Sequence, residues 1–212
     1  LFNVAAELHA RFPGFVGSQQ HLARLATLSL VLVAVALLNR DRKTLKEIPG
    51  GAQAIYDQQY QMARFLATYY PNAPIAANDI GAITFYGNHD CLDLVGLATV
   101  EVADLRAKNA FTTDQIQRLA EEHRTRVAVV YPSWFVGTQK LPSDWLQVGT
   151  WRLNPYERGF LGDTYVAFYA VHPQETEYLA RSLRAFESRV PPNVQQSGLY
   201  LKSQTLTARV NE

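Results

Sequence analysis

Residues Ile75 to Ala98 read IAANDIGAITFYGNHDCLDLVGLA, and this stretch decides the fold class. Ile75 to Asn78 is a short apolar strand placed after Pro74. It leads into the turn Asp79-Ile80-Gly81 and a brief apolar helix or turn that ends near Gly87. Cys91 to Val95 then reads as a second strand. A strand, a helix and a strand in so few residues is the signature of an α/β arrangement.

Working outward, the same alternation continues. Upstream, Ile55, Gln59, Met62, Leu66 and Tyr69 recur at helical spacing, and Pro71 stops that helix. Downstream, Thr112 and Gln115 match a capping box ahead of Ile116, Leu119 and Ala120, predicting a helix to about His123. Val127 to Tyr131 is a third buried strand, closed by Pro132. The second half differs: Trp145 to Trp151 and Thr164 to Val171 are rich in aromatic and β-branched residues, with only turn signals between them, and should pair antiparallel. Pro173 suits the first turn of a helix carrying Leu179, Leu183, Phe186 and Val190, which Pro191 and Pro192 end. Leu199 to Leu206 is expected to add a last, exposed strand. Helices between strands followed by a hairpin predict a three-layer α/β domain with a small mixed sheet, over residues 52–212.

Ahead of this domain lies LATLSLVLVAVALL, Leu25 to Leu38, fourteen residues without a charge. By length alone such a run suits a buried core helix or the apolar part of a signal peptide as well as a span. Extending it back to Leu22 reaches the lower limit for crossing a bilayer, with Arg24 snorkelling to the headgroups. Leu28, Leu30, Val31, Leu32, Val33, Val35, Leu37 and Leu38 cover every side of the helical wheel, so the helix needs apolar surroundings on all sides. Residues 22–39 are therefore expected to be a transmembrane helix, after a lead-in of residues 1–21 broken by Pro13, Gly14 and Gly17. Ala34 and Ala36 do form a small-x-small cleavage pattern, but twenty residues precede the apolar region. Ile48 to Gly51, with one Pro and two Gly, marks the expected boundary to the folded domain.

Charge narrows the partners. Twenty basic and 19 acidic residues leave a net charge of +1, which lacks the basic footprint of a nucleic-acid binder. Arg40, Arg42, Lys43 and Lys46 form the one basic cluster, read as a juxtamembrane anchor. By the positive-inside rule they would place the domain in the cytoplasm, although Arg11, His21 and Arg24 partly balance them and a long following domain weakens the rule. The single cysteine, Cys91, excludes an internal disulfide and a multi-thiolate zinc site, and reads as a small core residue.

Ligands of open α/β sheets gather beyond the carboxyl ends of strands, a rule that selects Asn78, Asp79 and Asp93, with His89 and Asp90 in the loop between. Convergence of Asp79, His89 and Asp93 would make an acid-base site of the hydrolase kind. The plainer expectation gives Asp79 a helix-capping role, Asp93 a cap or turn, and His89 a turn. Ser133 lacks the flanking glycines of a nucleophile elbow and is assigned no role. Of Tyr131, Trp134, Trp145 and Trp151, any with an open face could stack on a sugar ring, though most such rings fill cores. No catalytic residue, metal ligand or cofactor is assigned.

The segment Ile75 to Ala98, with the helix ending at Pro71, the Asn78-Asp79-Ile80-Gly81 turn and Asp93-Leu94-Val95-Gly96-Leu97, resembles a stretch in the C-terminal tails of bacterial polytopic membrane glycosyltransferases of the C superfamily. These are similar to the protein mannosyltransferases. The resemblance covers roughly residues 52–131, and the apolar helix upstream fits the last span of such a protein. It implies a transferase of the cytoplasmic membrane using a polyprenyl-phosphate sugar donor, its tail on the periplasmic or external face. In that family the catalytic acids lie in an early external loop, so the tail would support the membrane part or help recognise a glycan or protein acceptor. Further apolar spans are expected upstream. A soluble binding module remains the other reading.

Overall fold

A computed structural model describes residues 19–153 and 161–201. The chain divides into two compact units between Pro49 and Gly50. The expected lead-in, residues 1–21, lies almost wholly outside the described residues, as does the span from 202 onward.

Most of the first unit is helical. Helix α1 runs Gln19–Ile55 and continues through Pro49, so the Pro-Gly-Gly stretch does not interrupt it as expected; the missing proline N–H removes one intrahelical bond and the ladder resumes beyond it. The side chains of residues 21–42 are exposed, Leu30 by 70%. By length and composition this is the one helix among the described residues able to cross a membrane, with a mean hydropathy of 2.1 in its most apolar window. The Thr27 hydroxyl donates to the Ala23 carbonyl at 2.9 Å, which leaves that polar group satisfied within the helix itself.

The second unit is an α/β domain around one six-stranded mixed sheet. A π-helical turn, Tyr56–Tyr60, precedes α2 (Gln61–Tyr69). There follow β1 (Pro74–Ala77), α3 (Gly81–Tyr86), β2 (Asp90–Asp93), α4 (Val100–Ala107), α5 (Thr113–Glu122) and β3 (Val127–Val130). Strands β4 (Leu146–Arg152) and β5 (Tyr165–Ala170), helix α6 (Thr176–Phe186) and strand β6 (Gln195–Gly198) complete it. The strand order is β2-β1-β3-β5-β4-β6; the first three are parallel and the rest antiparallel, including the expected β4–β5 pair.

Alternation along the strands sends side chains to two separate cores. Ile75, Ala77, Val127, Val129, Val166 and Phe168 face Met62, Phe65 and Leu66 of α2, Ile83 of α3, and Leu179, Leu183 and Phe186 of α6. Ala76, Ala128, Val130 and Leu92 face Val102 of α4 and Ile116, Leu119 and Ala120 of α5. Helices on both faces make the three layers that the sequence predicts. Phe65 is the hub of the first core, with the rings of Tyr69, Tyr70, Trp151, Phe168 and Phe186 centred 5.3 to 6.1 Å away.

Three expectations need correction. The last strand lies at 195–198, paired with β4, whereas Leu199 to Leu201 turn helical. Gln195 to Ser197 carry little hydrophobicity, so period-2 apolar reading passes over an edge strand held by backbone pairing. The capping box at Thr112 does not form: its side chain makes no cap bond, and Gln115 Oε1 accepts from Arg118 Nε at 2.8 Å instead. Asp79 does not cap α3, whose N-cap position is Ile80.

Candidate functional site at the carboxyl edge of the sheet

Strand β1 is a topological switch. The chain leaves it for β2 on one side by way of α3 on one face, then crosses to β3 on the other side by way of α4 and α5 on the opposite face. Such a strand leaves a crevice beyond its carboxyl end, where ligands of open sheets bind. Asn78 shapes that end. Its side-chain Oδ1 accepts the Tyr131 N–H at 3.0 Å and its Nδ2 donates to the Tyr131 carbonyl at 3.4 Å. The amide thus stands in for the next peptide of β1 and keeps the ladder to β3 going, while the main chain turns away toward Asp79.

Asp79 is half-buried and lies among residues from distant parts of the chain. Its Oδ2 accepts from Gln59 Nε2 at 2.5 Å and faces the Tyr131 hydroxyl at 3.1 Å. The same hydroxyl lies 2.9 Å from Gln58 Oε1. Burial, followed by the Asp79 carboxylate, pushes the Tyr131 phenol well above the ordinary tyrosine range, so it is a proton donor at any physiological pH. Gln58 and Gln59 reach this edge because α2 runs antiparallel to β1, so the π-turn at its start lies over the carboxyl end of β1. A π-turn widens the helix locally, a feature frequent at functional sites. Beneath it the carboxylate of Asp57, fully buried, accepts from Gln53 Nε2 at 2.8 Å and Asn193 Nδ2 at 2.7 Å.

The loop after β3 supplies the rim. Trp134 is 42% exposed, its ring centred 5.7 Å from that of Tyr131, and its indole N–H donates to the Gly162 carbonyl at 3.3 Å. Ser133 donates to the Asp163 carboxylate. Tyr131, Trp145 and Trp151 are buried, so of the four aromatic residues singled out in the sequence Trp134 alone offers an open face.

The other expected site residues go elsewhere. Asp93 is fully buried, and its carboxylate accepts the backbone N–H groups of Val95 at 2.8 Å, Ala98 at 2.7 Å and Leu97; it organises the turn after β2. His89 and Asp90 lie at the opposite edge. Asp90 pairs in register with Pro74 and Asp93 with Ala77, so at about 3.3 Å per residue the two edges are about 10 Å apart. The His89 ring folds against Gly87, where an added Cβ would lie 2.2 Å from Nε2, and burial lowers its proton affinity. The geometry does not bring Asp79, His89 and Asp93 together as an acid-base set. Cys91 is half-buried against the first core, its thiol pushed up to about 12 by burial and then by Asp93 and Asp90. Among the described residues no cluster of three His, Cys, Asp or Glu could hold a metal.

Sequence reasoning found Asn78 and Asp79 but missed Gln58, Gln59, Tyr131 and Trp134 as their neighbours. The carboxyl-end rule, applied to β3 as it was to β1, would have selected Tyr131 to Trp134. Gln58 and Gln59 carry no such signal, since helical periodicity does not distinguish a π-turn.

Fold and site define a class: an α/β domain with a mixed sheet, whose switch-point edge holds a half-buried carboxylate and amide over a buried phenol and amide, with an exposed indole at the rim. More particularly, the chain belongs to the family described as a domain of unknown function (DUF8728), which matches residues 52–169. No curated protein and no solved structure matches the chain.

Proposed function

We propose that this chain is the C-terminal part of a membrane glycosyltransferase that uses a polyprenyl-phosphate-linked sugar. In this reading α1 anchors the chain in the bacterial cytoplasmic membrane. The α/β domain stands on the periplasmic or external face and supports the membrane part or recognises the acceptor, while transfer itself takes place elsewhere. The observation that carries the reading is the apolar helix, none of whose most hydrophobic window is buried by the described residues. A helix apolar all round and left uncovered needs lipid or other spans around it. The character of the carboxyl-edge site supports the recognition role, because it offers hydrogen-bonding groups beside an exposed aromatic side chain.

The test uses the intact gene product in membranes. A unique cysteine at exposed Leu146 in a Cys91→Ala background should be labelled by a membrane-impermeant maleimide added outside intact cells. The same membranes should transfer sugar from polyprenyl-phosphate donors to an endogenous acceptor, and removal of the α/β domain should lower that transfer. Recovery of the chain as a detergent-free monodisperse monomer, or labelling only after lysis, would overturn the reading.

A further inference from the structure

We infer that Asp79, Gln59 and Trp134 bind a neutral pyranose ring through two adjacent hydroxyls and one apolar face. The inference rests on the accessory-domain reading above and names the ligand class of its site.

The hydrogen-bond valences of the cluster call for a hydroxyl. Asp79 Oδ2 is engaged by Gln59 and faces Tyr131, whereas Oδ1 has no partner among the described residues, and neither has Gln59 Oε1. Two acceptor oxygens, on half-buried residues joined by a hydrogen bond, are therefore left unfilled. Beneath them one hydroxyl proton, that of Tyr131, is contested by Gln58 Oε1 and Asp79 Oδ2, while Gln58 Nε2, on a residue 1% exposed, has no partner. A ligand hydroxyl donating to Asp79 Oδ1 would fill that open lone pair, while Oδ2, already bonded by Gln59, leaves the Tyr131 proton available to Gln58 Oε1.

Charge and number exclude other classes. A phosphate or carboxylate would meet the Asp79 carboxylate at close range. A calcium ion gathers six to eight oxygens, of which one carboxylate and one amide supply few. Vicinal hydroxyls match the paired acceptors, and the ring C–H face matches Trp134. Gly162 lets the indole edge approach the backbone: a Cβ there would lie 2.8 Å from Trp134 Cζ2, beside the N–H that donates to the Gly162 carbonyl, and the residue is 42% exposed.

The experiment is acrylamide quenching of tryptophan fluorescence on the intact chain in nanodiscs, titrated with methyl gluco-, manno- and galactopyranosides. Trp145 and Trp151 are buried, so protection from quencher reports Trp134. At least one pyranoside should protect saturably, with affinity falling about tenfold or more in Asp79→Asn and unchanged in His89→Ala; the Trp134 variants lack the reporter and are titrated by isothermal calorimetry, where Trp134→Leu should lose about tenfold or more and Trp134→Phe should recover most of it. If Asp79→Asn proves unfolded by near-UV circular dichroism, Gln59→Leu takes its place. Protection by inorganic phosphate or calcium chloride in place of sugar, protection by none of the pyranosides, or sugar affinity unaltered in both site variants would overturn the inference. Sugar transfer that persists without pyranoside binding sinks this site alone; failure of the chain to enter membranes sinks the reading beneath it.

Discussion

At the scale of single residues, Asn78 and Asp79 show what a sequence can and cannot tell about a site. The rule that ligands gather at strand ends located both. Their roles were hidden, since Asn78 bonds to Tyr131 at a separation of 53 residues and Asp79 to Gln59 at 20, distances at which no local pattern carries information. Asp93 is the converse case. A buried carboxylate whose partners lie two to five residues ahead is local chemistry, and its turn role was legible. Replacing it by Asn leaves backbone N–H groups facing an amide that can accept less and must also donate. Asp93→Asn should therefore lower stability by about 2 to 3 kcal/mol in chemical denaturation, with pyranoside affinity unchanged. Gly96 follows it with φ of 91°, and an added Cβ would lie 2.7 Å from the Ala103 amide nitrogen. Gly96→Ala should cost at least about 1 to 3 kcal/mol. Gly50→Ala, inside α1 with nothing within 4 Å of the new methyl group, should gain about 0.5 to 1 kcal/mol, and the opposite signs of the two changes make the comparison self-controlling.

At the scale of elements, long periodic or continuously apolar segments were read correctly because burial alone specifies them. Helices α2, α5 and α6 and strands β1, β3, β4 and β5 fall within a few residues of their expected bounds. Helix α4 was missed: Val102 is its one buried residue, so it carries no stripe for periodicity to detect. Within α2 the Phe65 ring touches five others, and Phe65→Ala should destabilise the domain by about 3 to 5 kcal/mol, measured as a shift of the urea midpoint at constant slope. For α1, the test is partition. Replacing Leu30 and Val33, both exposed, by Asp places two charges mid-run, each opposed by about 2.5 to 3.5 kcal/mol at a bilayer centre. The doubly substituted chain should leave the membrane fraction on flotation. Unaltered flotation would mean that α1 is covered by protein.

At the scale of the whole molecule, three groups respond together to alkali. Burial raises the Cys91 thiol and the Tyr169 and Tyr200 phenols to about 12, from ordinary values of 9.0 and 10.0. The native state holds these protons longer than the unfolded chain, so above pH 9 unfolding releases protons and stability falls with rising pH. It should decline from about pH 9 to about pH 12 and be flat with respect to these groups below that window; denaturant midpoints across the range give the test. Over the same range Cys91 should resist iodoacetamide until the domain is unfolded. The family match closes at residue 169, one short of the end of β5, whereas Leu179, Leu183 and Phe186 beyond it roof the hub around Phe65. A polypeptide cut where the shared sequence stops would bare an aromatic floor to water and leave β4 without its outer neighbour, inviting strand-to-strand clumping. The stretch that the family match covers is thus shorter than what a ribosome must finish before the domain can close.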